Sequence, residues 1–242
     1  MSNDPNSAAS VRAWDIPTRA FHWALVFCII SAWVSFEYAD KLGDDSLRWH
    51  RWNGLGVVVL LVFRVLWGLF GASTARFANF LRWPWSAAAY GLDLLRGRDR
   101  HFLGHNPLGS YMILALLAVV GAQAVLGLYS YEPDDYQTAF GPLSNLISEG
   151  AAKSVTAWHK WAFKRVLLPL IGLHIIANVL YGMLKKDPLI RAMVTGRKPR
   201  ADYEDGAEAG IEPESGRRAA LCLVAAIALV FGAIALAGGK LV

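Results

Sequence analysis

The stretch WHKWAFKRVLLPLIGLHIIANVLYGML, residues 158–184, decides the fold of this chain. It is apolar, it is long enough to cross a membrane as one helix, and it carries His159 and His174. A regular helix rises roughly 22 Å over the fifteen steps from His159 to His174, so the two imidazoles cannot serve one small site. They can serve two sites at different depths of a bilayer whose hydrocarbon core is about 30 Å thick.

The composition of the whole chain is that of a membrane protein. Of its 242 residues, 55% are hydrophobic and only 18% are charged. The formal net charge is +5, but the basic residues are grouped in a few connections and do not form the basic face that a nucleic-acid-binding domain presents. We therefore expect membrane lipid around this chain and no nucleic-acid partner.

Five apolar stretches each approach the ~20 residues that a spanning helix requires. They cover about residues 21–38, 52–71, 108–130, 161–184 and 219–238. The polar start, MSNDPNSAASVRAWD, lacks the apolar core of a cleavable signal peptide, so the first stretch is expected to stay in the protein. By composition, the chain divides into four parts: a disordered tail (1–13), a four-helix domain (14–198), a flexible linker (199–216) and an additional C-terminal membrane helix (217–242).

The distribution of Lys and Arg predicts the orientation of these helices. Basic residues are concentrated in the N-terminal tail and in the second and fourth connections, whereas the first and third connections are mostly acidic. We therefore predict that the N-terminus and the second and fourth connections are cytoplasmic. The first and third connections and the C-terminus are then on the outer side.

This orientation assigns four histidines to two depths. The first helix runs outward and the second and fourth run inward, which puts His22 and His174 toward the cytoplasm and His50 and His159 near the outer face. We predict an outer pair, His50 with His159, and an inner pair, His22 with His174, each joining two helices. Because neutral imidazole is a common axial ligand of haem iron, the two pairs suggest two haems.

Cysteine use restricts the type of haem. The two cysteines, Cys28 and Cys222, lie in apolar stretches and no Cys-x-x-Cys-His sequence occurs, so any haem is predicted to be b-type and non-covalently bound. Haem propionates require cations or hydrogen-bond donors. The candidate cations lie close in sequence to the histidines: Arg51, Lys160 and Arg165 near the outer pair, and Arg19 near the inner pair.

Three polar residues keep alternative interpretations. Arg64, inside the second apolar stretch, is either a buried residue that caps carbonyls or a group that serves a haem or a quinone. His101 and His105 have the i, i+4 spacing of a metal pair. The sequence Asn106-Pro107 that follows favours a turn in which Asn106 caps the third helix.

Several motifs resemble those of the bacterial cytochrome b561 family, which includes the membrane b-type subunits of nickel–iron hydrogenases. They are WDIPTRAFHW at residues 14–23, RWHRWNG at 48–54, GHNPLGSYM at 104–112, WHKW at 158–161, GLH at 172–174 and KKDPLIRAMVTGRK at 185–198. The resemblance covers about residues 11–200 and implies a four-helix transmembrane bundle with two b haems in a bacterial cytoplasmic membrane. It implies the same four ligands, His22, His50, His159 and His174. The fifth helix departs from this pattern and is a candidate docking surface for another subunit.

The resemblance also implies transmembrane electron transfer between the quinone pool and a partner, either a hydrogenase-like enzyme or a periplasmic c-type cytochrome. One alternative is a stand-alone enzyme that oxidises superoxide and reduces quinone. Another is a non-redox membrane scaffold or transporter, which would contain no haem when purified. The candidate quinone pockets are the aromatic and basic cluster around the outer pair and the segment at residues 100–106.

Overall fold

A computed structural model describes residues 10–43, 45–98, 100–132, 140–199, 201–206 and 216–241. Within these residues, five helical segments are long and apolar enough to cross a membrane, which confirms the predicted all-α membrane architecture. They are α1 (Ile16–Glu37), α3 (Ser46–Phe70), α6 (Pro107–Tyr129), the continuous segment Glu149–Leu184 and α10 (Gly216–Leu236).

Shorter elements fill the connections between the long helices. They are α2 (Ala39–Leu42), α4 (Phe77–Phe80), α5 (Pro84–Leu95), α9 (Leu189–Thr195) and the antiparallel strands β1 (Ser10–Arg12) and β2 (Arg197–Pro199). Strand β1 begins inside the segment that composition predicted to be a disordered tail. The rest of that tail (1–9) and most of the predicted linker (207–215) lie outside the described residues.

The fourth membrane segment is not a uniform α-helix. It consists of α7 (Glu149–Ala162), a π-helical segment (Phe163–Leu167) and α8 (Leu168–Leu184). Pro169 follows the π segment closely; proline lacks an N–H and its ring collides with the carbonyl four residues earlier, so a widened turn ahead of it relieves that conflict. The regular helical rise assumed from the sequence therefore does not hold over the whole interval between His159 and His174.

The chain forms two compact units. The first comprises Met1–Ala20, Val65–Ala115 and Gly172–Ala219, and the second comprises Phe21–Arg64, Leu116–Ile171 and Ala220–Val242. One core of the second unit forms around Val57, Val120 and Leu167, which come from three different membrane segments. Apolar burial between long helices therefore determines how the helices of this unit pack.

One face of α10 is buried at every fourth residue. The buried residues are Cys222, Ala226, Val230 and Ile234. Within the second unit, Val230 and Ile234 pack in one core with Leu55 of α3 and with Leu143. The helix predicted as an addition to the four-helix domain is therefore packed against that domain along this face.

A buried lysine holds β2 in the first unit. The side chain of Lys198 is 1% exposed, and its Nζ donates to the carbonyl of Phe102 at 2.9 Å. The same Nζ lies 3.1 Å from a carboxylate oxygen of Asp187. Because an ammonium group is costly to bury without partners, this pairing fixes β2 against the loop that precedes α6.

The residues that follow β2 bind the same loop. The carboxylate of Asp205 accepts the N–H groups of Leu103 at 2.6 Å and Gly104 at 2.9 Å. Arg100 forms two hydrogen bonds of 2.6 Å with the carboxylate of Glu204, and this contact lowers the pKa of Glu204. Glu204 and Asp205 are therefore held against this loop, within the segment that composition predicted to be a flexible linker.

Candidate cofactor site

The two histidines of the outer pair lie together in the second unit. His50 is near the start of α3 and His159 is in α7, and their ring centroids are 6.1 Å apart with planes at 87°. Two imidazoles that bind one metal ion from opposite sides, at about 2 Å each, have ring centroids about 6 Å apart. The spacing of the pair therefore fits axial ligation of one iron by two helices.

Backbone carbonyls fix the tautomer of both rings. Nδ1 of His50 lies 2.7 Å from the carbonyl oxygen of Ala32 in α1, and Nδ1 of His159 lies 3.0 Å from that of Gln123 in α6. An imidazole that donates its Nδ1–H in this way keeps the lone pair of Nε2 for a metal. The donor set therefore suits haem iron.

Two residues of α6 that the sequence did not single out surround the His159 ring. The side-chain amide of Gln123 donates to the carbonyl of His159 at 3.1 Å and lies 3.2 Å from its Nε2. The Oε1 atom of Gln123 is buried without a hydrogen-bond partner among the described residues. At Gly127, an added Cβ would lie 3.1 Å from Cε1 of His159, so the ring occupies the space of a side chain. A glutamine in an apolar helix is a detectable signal, whereas a glycine there is not.

Arg51 presents unsatisfied donors beside this pair. Its Nε and Nη1 atoms are buried and have no hydrogen-bond partner among the described residues. The guanidinium lies 4.9 Å from the ring centroid of Phe140. Since buried guanidinium donors are normally satisfied, these two atoms fit an anionic group such as a haem propionate.

The other predicted cations near the outer pair differ from Arg51. Lys160 already pairs with Glu132 at 2.5 Å, and its Nζ lies 5.3 Å from the ring centroid of Phe36. Arg165 is exposed in the π segment. Arg64 of α3 is buried, as expected of an arginine inside a membrane helix. Arg51 is therefore the best-placed cation for this site.

The two histidines of the predicted inner pair belong to different units. His22 is in the second unit, with its ring centroid 5.0 Å from that of Trp23. His174 is in the first unit, where the side chain of Asn178 donates to its carbonyl at 2.7 Å. The pairing of His22 with His174 stays a prediction.

Arg19, the cation predicted for the inner pair, binds α9. Its Nη1 donates to the carbonyl of Val194 at 2.5 Å, in the last turn of that helix, where carbonyls lack helical partners. Its Nε atom is buried without a hydrogen-bond partner among the described residues. Arg19 therefore has a structural contact and one donor without a partner in the described part of the chain.

The segment at residues 100–106 forms the turn that the sequence favoured. The side chain of Asn106 accepts the N–H of Gly109 at 2.7 Å, which confirms the predicted cap of α6. The His105 ring packs 4.5 Å from that of Trp14 and 4.7 Å from that of Phe80, measured between centroids. His105 thus occupies an aromatic packing position in the first unit.

A small polar cavity lies beside this turn in the first unit. It is lined by His101, Tyr90, Tyr181, Lys185 and neighbouring residues. The hydroxyl of Tyr181 lies 3.3 Å from that of Tyr90. Burial of the phenol, and to a smaller extent this hydrogen bond, raises the pKa of Tyr90, so the phenol stays protonated.

Within the described residues, five apolar helices and the paired rings of His50 and His159 define the class: a multi-pass helical membrane protein with a candidate haem site. The chain matches the prokaryotic cytochrome b561 family over residues 13–196, and it belongs to that family. Two relatives are probable Ni/Fe-hydrogenase 1 B-type cytochrome subunits of Escherichia coli, from strains K12 and O157:H7. Each is 20% identical over 226 residues, which cover 81% of this chain and 94% of the relative. Family membership confirms the resemblance seen in the motifs and makes the chain a membrane b-type cytochrome of electron transfer.

Proposed function

We propose that this chain carries electrons across the bacterial cytoplasmic membrane between the quinone pool and a partner redox protein. In this proposal it holds two b haems, one at the outer pair and one at the inner pair predicted from the sequence. The outer pair is the observation that supports the proposal most. It places two imidazoles from separate helices 6.1 Å apart, each with Nδ1 at a backbone carbonyl.

Each residue around the outer pair has a defined task in this proposal. When bound, haem b supplies an iron that exchanges one electron at a time. His50 and His159 would hold the iron through Nε2, and the carbonyls of Ala32 and Gln123 would keep both rings in the required tautomer. Arg51 would neutralise a propionate with the two donors that have no partner among the described residues.

The relatives support a partner of a particular kind. Their description as hydrogenase cytochrome subunits supports a hydrogenase-like enzyme on the outer side of this chain. The acidic first connection, which includes the exposed Asp40 and Asp45, supports a basic c-type cytochrome as the other candidate. Both proposals require the orientation read from the Lys and Arg distribution, with the N-terminus cytoplasmic and the C-terminus periplasmic.

The proposed function is tested with the purified chain in sealed vesicles that contain trapped ferricyanide. We expect b-type absorption bands, reduction of these bands by a short-chain quinol added outside, and consumption of the trapped ferricyanide. Vesicles without the chain measure leakage. Absence of haem from chain purified out of its native membrane would contradict the proposal and support a scaffold or transporter. Haem that superoxide reduces but that passes no electrons to ferricyanide would support the stand-alone enzyme instead.

Replacing Gly127 by leucine is expected to abolish the outer haem selectively. Any Cβ at this position meets Cε1 of His159 at 3.1 Å, and a leucine side chain requires more space still, so the ring must leave its position. Gly121→Leu, on the same helix, is the matched control, because a Cβ added at Gly121 meets nothing within 4 Å. Haem per chain and the low-temperature b-band spectrum measure the effect. Equal haem content in both variants would refute the proposed role of His159.

A further inference from the structure

The exposed face of α5 is apolar although α5 lies in a connection. The helix falls between the membrane segments α3 and α6, and its twelve residues are too few to span a bilayer. Its exposed apolar side chains, with the indole that precedes it, are Trp83 (69%), Trp85 (66%), Leu92 (52%) and Leu95 (85%). Residues 85, 92 and 95 share one face at helical spacing.

The opposite face of α5 is already used. Ala87 and Tyr90 are buried within the first unit. A rotation of the helix that buried its apolar face would therefore expose these two side chains. The rings of Trp83 and Trp85 stack with centroids 5.0 Å apart and planes at 2°, which holds the two exposed indoles together at the start of the helix. A contiguous exposed patch of this kind marks a contact with lipid or with another protein.

Arginines flank this apolar face at both ends. Arg82 precedes the indole pair, and Arg96 and Arg98 follow Leu95. Arg96 is exposed, and Arg98 remains 66% exposed while it pairs with Asp93 at 3.1 Å. An apolar face bordered by tryptophan and arginine matches the headgroup boundary of an anionic leaflet. The two segments that flank α5 in the chain are membrane segments, so the connection that contains α5 begins and ends at the membrane surface.

We propose that residues 82–98 form an in-plane membrane anchor that binds anionic phospholipid. The face with Trp85, Leu92 and Leu95 lies at the boundary between headgroups and acyl chains. Arg96 and Arg98 contact lipid phosphates. The proposal rests on the membrane-spanning fold and is independent of haem content and of electron transfer.

The depth of α5 is measured with the full chain in lipid nanodiscs. The native cysteines are replaced (Cys28→Ser, Cys222→Ser), and a fluorophore is attached at Leu92→Cys or, as the control, at Asp45→Cys, an exposed site (75%) in another connection. We expect lipids with a nitroxide attached near the ester carbonyls to quench the label at position 92 at least threefold more than the label at position 45. Iodide in water is expected to show the reverse order.

Two results would overturn this placement. Iodide quenching of the Leu92 label equal to that at Asp45 would put α5 in water. Protection from both quenchers would show that protein covers the face. The headgroup requirement is tested separately, by native mass spectrometry of bound phosphatidylglycerol and phosphatidylcholine. We expect phosphatidylglycerol to be retained preferentially and Arg96→Gln to reduce that preference at least twofold; equal retention of the two lipids by the unmodified chain would overturn the arginine contact.

Discussion

His159→Leu is expected to halve the haem content of the purified chain and to leave one b haem with an unchanged spectrum. The leucine side chain fills a similar space between α6 and α7 but has no nitrogen to bind iron. His50 then faces the site alone, and a single imidazole is expected to hold haem iron less tightly than two imidazoles from separate helices. Haem per chain by the pyridine haemochrome method and the g-values of the remaining haem measure the outcome.

His101→Leu is the control for this variant. His101 lies in the first unit, beside the cavity with Tyr90, and it is not in either proposed pair. Full haem content is therefore expected in His101→Leu. External imidazole supplied to His159→Gly is expected to restore part of the missing haem, because the backbone carbonyl of Gln123 remains available to orient it. Retention of two haems by His159→Leu would mean that the outer pair does not hold iron.

The outer pair shows which parts of the site a sequence can reveal. The positive-inside bias and helix length assign His50 and His159 to one depth, and the structure brings their rings within 6.1 Å. The partners of these rings could not be foreseen in this way. Carbonyls such as that of Ala32 carry no sequence signal, and the pairing of Lys160 with Glu132 joins residues from two segments whose relative position depends on packing.

The fifth helix shows a second limit of prediction from sequence, which concerns helices that are apolar on every side. In water, a polar face identifies the side that does not pack, but a helix in lipid can be apolar on both its lipid face and its packed face. The buried stripe of α10 therefore resembles the rest of that helix in composition. The burial of this stripe, and the contacts of Val230 and Ile234 in the second unit, separate a packed helix from an isolated anchor.

Lys198 illustrates a third limit of prediction from sequence. Its charge was used to predict the orientation of the helices, but the side chain is buried. The residue lies in a run of basic residues that predicts a cytoplasmic connection. Alternation along β2 turns Arg197 and Pro199 outward and Lys198 inward, and the strand pairing with β1 fixes that alternation. Composition alone gave no reason to expect a strand at either position.

Lys198→Met is expected to destabilise the first unit by about 3–5 kcal/mol, the usual cost of removing one partner of a buried ion pair. The methionine keeps most of the side-chain volume but leaves the Asp187 carboxylate and the Phe102 carbonyl without their shared donor. We expect a lower apparent melting temperature, measured by circular dichroism in detergent. Earlier proteolysis after β2 is expected as well.

Two further variants separate the ion pair from a general effect on β2. Arg197→Met changes the exposed neighbour, whose Nε donates to the hydroxyl of Ser10 at 2.9 Å, and is expected to cost less than about 1 kcal/mol. In Lys198→Met with Asp187→Leu, both charges are gone, and most of the lost stability is expected to return because no buried charge is left unpaired. A double variant as unstable as Lys198→Met alone would show that the hydrogen bond to Phe102, and not the ion pair, holds β2 in place.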